Sequence, residues 1–278
     1  MIGIVGLGVI GGSYAMALKA AGLGPVAGMD VDRAALDQAL AMGIIQQGGR
    51  PDKALLGQCH LVIIALYPAL VPGFLAEHRD HFRENCLITD ATGVKYQLSL
   101  KLEGLLRPDV DFVMGHPMAG REKMGLAFAS AQVFQGANYI LVPTPRNREE
   151  NLRRVEALAR ALGFASVRRV DPQTHDQLIA YTSQLPHAMA VALMNSDRPG
   201  RETGRFIGDS YRDLTRIARI NDKLWAELFL ENKEALLEAM DRFTQQLALI
   251  RQAVAQEDEA ALRDLMRKST RRREALDS

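Results

Sequence analysis

The chain has little of what would place it on nucleic acid, in a membrane or outside the cell. Its 278 residues carry 34 Lys and Arg against 33 Asp and Glu, a formal net charge of +1, so no broad field draws in a polyanion. Long apolar runs are missing too. The most apolar stretch, Leu61 to Ala76, is interrupted by Pro68 and Pro72. It falls short of the roughly 20 residues that a bilayer crossing needs, and reads as a buried strand with the loop behind it. The only cysteines are Cys59 and Cys86, too few for a disulfide framework. Met1 leads directly into an apolar strand pattern, which leaves no room for a signal peptide. These absences predict a cytoplasmic protein with reduced thiols. His78 and His81 stand at helical spacing beside Glu77 and Asp80, but a solvated face accounts for them, so no metal is expected. Lysine is also missing between Lys123 and Lys223, which restricts the choice of catalytic base.

What is present begins at the N-terminus. Ile2 to Val5 reads as a buried strand, followed by Gly6-Leu7-Gly8-Val9-Ile10-Gly11 and then by good helix formers from Ser13 to Ala20. Strand, G-x-G-x-x-G turn and helix in that order make a cradle for a pyrophosphate, with the helix N-terminus aimed at the anion. Gly6, Gly8, Ile10 and Gly11 are therefore candidate cofactor contacts. A second strand, Pro25 to Met29, ends at Asp30, the spacing at which a carboxylate meets the adenosine ribose diol. A carboxylate there repels a 2′-phosphate, so NAD is expected over NADP, although Arg33 stands nearby.

Further along, Leu61 to Leu66, Leu87 to Asp90 and Phe112 to Gly115 read as parallel strands covered on both faces. Ligands of such sheets bind beyond the strands' carboxyl ends, where Tyr67, Thr92, Gly93 and His116 would converge. Tyr139 to Val142 and Ser166 to Val170 bracket a helix at about 148–162. From Asp171 onward strand signals stop. The expected fold is α/β: a Rossmann-type doubly wound parallel sheet over residues 1–170, then an all-helical domain over 171–278. Leu236, Met240, Phe243, Leu247, Ile250 and Val254 recur in steps of four and three, a heptad-type stripe suited to a second subunit, so a homodimer is expected. Arg271, Arg272 and Arg273 read as a solvated helix end, not a nucleic-acid site.

His116 sits in Gly115-His116-Pro117-Met118-Ala119-Gly120. An imidazole titrates near neutrality and takes a proton from an alcohol while hydride leaves the same carbon. Two helical segments add polar groups. Thr182-Ser183-Gln184-Leu185-Pro186-His187 places proline inside an apolar helical region, which breaks or kinks it near His187. In Gly208 to Arg216 a polar turn enters a helix; Arg216 offers a planar fork to a carboxylate, with Arg212 one turn away. Ion pairs of these arginines with Asp209, Asp213 or Asp222 are the structural alternative.

In the order GLGVIGGS, Asp30, DATGVK, GHPMAGRE, SQLPHAMA, DLTRIA and LWAELFLENK, the chain resembles the prephenate dehydrogenases, including their arogenate-using branch, nearly end to end. The resemblance implies a Rossmann domain with a helical dimerisation domain, and NAD(P)-dependent oxidation at C4 of the cyclohexadienol with loss of the ring carboxylate. It also implies a small-molecule substrate, prephenate or arogenate, in tyrosine biosynthesis. His116 matches the histidine that takes the C4 hydroxyl proton. His187 and Arg216 match residues lining the substrate pocket, Arg216 at the ring carboxylate. Two positions depart from the pattern. Gly93 stands where many members have serine, leaving Thr92 as the nearest hydroxyl, and Gln184 stands where many have histidine, at a place that reads the substrate side chain.

Other readings share the layout: β-hydroxyacid dehydrogenases, imine or ketopantoate reductases, and a non-enzymatic NAD-sensing module. The hydroxyacid enzymes favour a lysine base on the helix after the crossover, where this chain has no lysine but does have histidines. Hydride transfer to NAD on adding prephenate separates these readings.

Overall fold

The computed structural model describes residues 1–120 and 123–276; Arg121 and Glu122, which end the GHPMAGRE motif, lie outside the described residues. Two compact units are present, residues 1–232 and 233–278. The first holds one eight-stranded sheet. Its strands are β1 (Ile2–Val5), β2 (Val26–Met29), β3 (Gln47–Gly49), β4 (Leu61–Ile64), β5 (Leu87–Asp90), β6 (Asp111–Pro117), β7 (Asn138–Val142) and β8 (Ser166–Arg169), in the order β3-β2-β1-β4-β5-β6-β7-β8.

Strands β1 to β6 are parallel, as their apolar runs predict, and the reversal of order beside β1 makes the sheet doubly wound. The last two strands differ from the all-parallel expectation. β7 pairs antiparallel with β6, and β8 runs parallel to β7. The link from β6 to β7 carries two short 3-10 turns, Leu126–Phe128 and Ala131–Phe134, and an antiparallel neighbour needs no helical crossover.

The helices of this unit are α1 (Val9–Ala20), α2 (Arg33–Ala41), α3 (Lys53–Leu56), α4 (Leu70–Glu77), α5 (Tyr96–Lys101), α6 (Glu149–Ala161), α7 (Pro172–Ile179), α8 (Leu185–Asn195), α9 (Asp209–Thr215) and α10 (Asp222–Glu231). Two apolar clusters cover the faces of the sheet. One gathers Ile4, Leu18, Ile63, Tyr139 and Phe164, the other Val5, Val62, Ile64, Ile88 and Met114. Neighbouring residues of β1 and β4 thus go to opposite clusters, the period-two alternation of a strand buried on both sides.

α7 starts as its sequence dictates: the Asp171 side chain accepts from the Thr174 N–H and Pro172 opens the helix. It runs into a π-helical turn, Ala180–Gln184, before α8, with Pro186 in the first turn of α8. The expected break at Pro186 takes the form of this wide turn, which leaves proline where no intrahelical N–H is needed.

The second unit consists of α11 (Lys233–Ala255) and α12 (Glu259–Glu274). Asp258 caps α12 by accepting from the Ala261 N–H. On α11 the stripe starts buried at Leu236 and is exposed at Leu247, Ile250 and Val254. Among the described residues, no helix is long and apolar enough to cross a membrane, and no cluster of three or more His, Cys, Asp or Glu is placed to hold a metal. His78 is not on a solvated face. It is buried, its ring lies against Phe74, and its Nδ1 is 3.0 Å from Nδ1 of His81.

Candidate active site

The glycine turn is shaped for a close-lying ligand. Gly6 has φ +90°, and a Cβ there would lie 2.6 Å from the Ala65 carbonyl oxygen; a Cβ on Gly11 would lie 1.8 Å from that of Gly6. No other residue fits these two positions. A Cβ on Gly8, by contrast, would meet nothing within 4 Å, so the turn is open on its outer side. α1 follows with Gly8 as its N-cap, no side-chain cap and no acidic residue in its first turn, leaving the positive end of the helix directed at that space. Ile10 lies on the first turn of α1, packed against the core.

Asp30 is held by this turn: its Oδ2 accepts from the Leu7 N–H at 2.6 Å and its Oδ1 from the Asp32 N–H at 2.8 Å. Arg33 is paired with Asp37 at 3.0 Å. Glycine turn, helix end and oriented carboxylate fit a dinucleotide. Tyr67, beyond β4, accepts from Asn221 Nδ2 at 3.0 Å and has the Lys223 ammonium 5.9 Å from its ring centre, so it ties the sheet edge to the start of α10.

Beyond β5 and β6 lies a buried polar cluster. Lys95 is fully buried, and its Nζ donates to Asp90 Oδ2 at 2.5 Å, Thr92 Oγ1 at 3.0 Å and the Gly115 carbonyl at 2.7 Å. Those three bonds use every proton of an ammonium. Asp90 Oδ1 accepts from the Gly115 N–H at 3.0 Å. The side chains of Asp90 and Lys95 thus grip both backbone polar groups of Gly115, the residue before His116. A Cβ on Gly115 would lie 1.9 Å from Tyr139 Oη, so only glycine allows this packing. Burial pulls the Lys95 ammonium below its ordinary pKa, and Asp90 opposes the pull. Thr92 is buried, its hydroxyl donating to Asp90 and accepting from Lys95, which places it inside this cluster.

His116, on β6, is partly exposed. Its Nδ1 is 2.9 Å from Nε2 of His175, whose Nδ1 is 2.7 Å from Asp176 Oδ1. Asp176 also accepts from the backbone N–H groups of Lys95 at 2.8 Å and Tyr96 at 2.9 Å. Burial pulls the His116 imidazole well below its ordinary 6.5, and His175 and the Lys95 ammonium push the same way. The ring is therefore neutral at physiological pH and able to accept a proton. Its Nε2 faces Gly93, 3.8 Å from the point a Cβ there would occupy; the same point is 3.2 Å from Leu228 Cδ2.

The helical segments bring further residues. His187, on α8, donates from Nδ1 to the Ser183 carbonyl at 2.9 Å and stacks on Trp225 of α10 with ring centres 3.6 Å apart. Arg216 is exposed at the end of α9, in a 3-10 turn, Arg216–Ala218, that packs on α8. Arg212 is exposed and paired with Asp209 at 3.1 Å, the ion pair that the sequence reading set against a binding role. Gln184 is buried: its amide donates to the Leu228 carbonyl at 2.9 Å and accepts from Asn232 Nδ2 at 2.8 Å. It braces the π turn against α10 and faces its own protein.

Sequence reasoning missed Lys95, His175, Asp176 and Asn232. A signal for the middle two exists: His175 and Ile179, like Asp176 and Ala180, stand four residues apart on one helical face, and all four are buried. A polar pair on an apolar face marks a buried network. A cavity of about 390 Å³ lies at the other end of β6, lined by Leu106, Phe112, Pro143 and Arg148 among others. Its buried carboxylate, Asp111, accepts from Asn147 Nδ2, the Arg148 N–H and Asn151 Nδ2.

A dinucleotide cradle and a neutral, anchored imidazole on one sheet edge define a nucleotide-dependent dehydrogenase. The family model described as prephenate dehydrogenase, nucleotide-binding domain, matches residues 14–167, and the one described as prephenate dehydrogenase, dimerization domain, matches residues 171–268. The chain is 31% identical to a prephenate dehydrogenase of Bacillus subtilis over 92% of its own length and 70% of that protein. It is 28% identical to a cyclohexadienyl dehydrogenase of Zymomonas mobilis over 99% of its own length and 95% of that protein. Among solved structures it resembles the prephenate dehydrogenase of Aquifex aeolicus in complex with hydroxyphenyl propionate and NAD+, with a TM-score of 0.89, 28% identity, and coverage of 99% of this chain and 97% of that one. The chain belongs to the prephenate dehydrogenase family.

Proposed function

We propose that the chain catalyses the oxidative decarboxylation of prephenate to 4-hydroxyphenylpyruvate with NAD as hydride acceptor, a step of tyrosine biosynthesis in the cytoplasm. The observation that carries this reading is His116, a neutral imidazole held by His175 at the same carboxyl-end edge of the sheet as the dinucleotide turn, with β4 and β5 between their strands. Residues 1–170 would hold the cofactor: Gly6, Gly8, Ile10 and Gly11 its pyrophosphate and Asp30 its ribose diol, with Tyr67, Gly93 and the backbone of Thr92, whose hydroxyl is committed to Asp90 and Lys95, toward the nicotinamide end. Asp30 favours NAD over NADP because a 2′-phosphate would meet it as a like charge, and Arg33 is already paired with Asp37. Residues 171–278 supply substrate contacts and the dimer contact; the exposed apolar stripe on α11 supports a homodimer.

The bound nicotinamide supplies a two-electron acceptor. His116 Nε2 takes the C4 hydroxyl proton as the carbon–oxygen double bond forms and the C4 hydrogen departs with its electron pair. The ring carboxylate then leaves as carbon dioxide, its C–C bonding electrons complete the aromatic ring, and the phenolate oxygen recovers the proton from His116. Arg216 holds the ring carboxylate, and His187 lines the substrate pocket. Gln184 acts on the pocket through the π turn and α10. Arogenate, which carries an amino group in place of the keto group, is the second substrate of this reading, supported by likeness to a cyclohexadienyl dehydrogenase.

Initial rates with prephenate and arogenate, each with NAD and NADP, test the proposal. The expected order puts prephenate with NAD first. Absence of turnover with either cyclohexadiene overturns the reaction, and equal or faster turnover with NADP overturns the role of Asp30.

A further inference from the structure

The polar chain behind His116 determines more than its position. We infer that His175 and Asp176 are positioning residues that fix which ring nitrogen of His116 carries its proton, leaving Nε2 as the lone-pair atom on the substrate side. This rests on the proposed role of His116 as proton acceptor.

Asp176 is engaged as an acceptor by two backbone N–H groups, those of Lys95 and Tyr96, and an ionised carboxylate has no proton to give. His175 Nδ1, 2.7 Å from Asp176 Oδ1, must therefore donate. A neutral imidazole has one donor and one acceptor nitrogen, so His175 Nε2 accepts. The facing atom 2.9 Å away, His116 Nδ1, must then carry the hydrogen, and the lone pair of His116 falls on Nε2. The reverse order needs an imidazolium at His175; burial pulls His175 below its ordinary pKa, with Asp176 opposing, which supports the neutral form. Lys95, Asp90, His175 and Asp176 are the charged or titratable groups contributed by β5, α7 and the loop before α5 around this ring.

Free imidazole distributes its proton over both nitrogens, and a His116 protonated on Nε2 would point a donor at the substrate hydroxyl. With Nδ1 committed to His175, each neutral His116 is ready to accept. When Nε2 gains the substrate proton, the resulting cation still donates from Nδ1 to His175, whose Nδ1–H is anchored by Asp176. No proton passes along the chain; it orients the ring and stabilises its charge.

Nitrogen-15 NMR of the whole enzyme, labelled at histidine, tests the inference directly, with His116 assigned through its loss in His116→Asn. At neutral pH the expected spectrum shows a protonated Nδ1 and a bare Nε2. A protonated Nε2 in the wild type overturns the inference without need of any variant at His175. In His175→Phe, which removes the acceptor, kcat is expected to fall about 10- to 10³-fold with KM for prephenate and NAD affinity little changed. His175→Gln, which restores an acceptor, is expected to recover part of that loss. A folded His175→Phe enzyme with wild-type kcat also overturns it. Failure of the proposed function is separable, because it appears as absent wild-type turnover whatever the tautomer.

Discussion

Two polar regions of the molecule are built on opposite plans. Around Gly115 and His116, the side chains of Asp90, Lys95, His175 and Asp176 are buried and joined to one another and to nearby backbone groups by short bonds. Along α9 and the turn after it, Arg212 and Arg216 are exposed, on elements of seven and three residues. Taking charges out of water is costly unless each partner is satisfied, and the buried region accepts that cost to hold one ring in one orientation. The exposed region leaves its arginines at the surface, Arg212 in an ion pair with Asp209, where charge is not taken out of water. In the proposed function, proton transfer and recognition of charge thus fall to different parts of the fold.

Removing the ring breaks the buried plan most severely. His116→Asn is expected to fold and bind NAD while kcat drops roughly 10²- to 10⁴-fold, the usual span for a lost general base; stopped assays with prephenate read it, and near-wild-type turnover would remove the chemistry from this ring.

The next test concerns stability. Lys95→Met leaves Asp90 buried without its cation and is expected to cost about 3–5 kcal/mol in urea denaturation. An unchanged midpoint would mean that the cluster relaxes or admits water, and the contrast between the regions would fail.

In the exposed region Arg216→Ala should lose about 10- to 150-fold in kcat/KM for prephenate, the value of a charge-assisted contact, with a smaller change in NAD affinity. Arg212→Ala, which breaks only an exposed pair, should change it less than about 5-fold. Equal effects from both arginines would show that α9 recognises charge as a patch and not through one fork.

The halves of the fold were unequally legible. The glycine turn, Asp30 and the apolar runs of β1, β4 and β5 stand out because each follows from local residue types. β3 is short and rich in glycine, so no strand pattern marks it. The reversal of β7 was hidden because an apolar run looks the same in either direction. His116 and Gly93 were readable as neighbours, but the cluster that holds them was not. Lys95 is of a type seldom buried, and its burial depends on Asp90 and Gly115 meeting it in space. The motif around Gln184 points to the substrate, whereas the amide bonds to the Leu228 carbonyl of α10 and to Asn232, a consequence of backbone geometry that the motif does not display.

The most direct test of the central claim, that a buried cluster holds His116 neutral and oriented as the base, is the pH dependence of kcat/KM for prephenate. Burial, His175 and Lys95 all lower the pKa of His116 below 6.5. A base acts only when unprotonated, so activity should be level through neutrality and fall only as pH drops through this lowered value. That acid limb should be absent from the residual activity of His116→Asn. A limb centred at or above 6.5, or one that persists in the variant, would contradict the account.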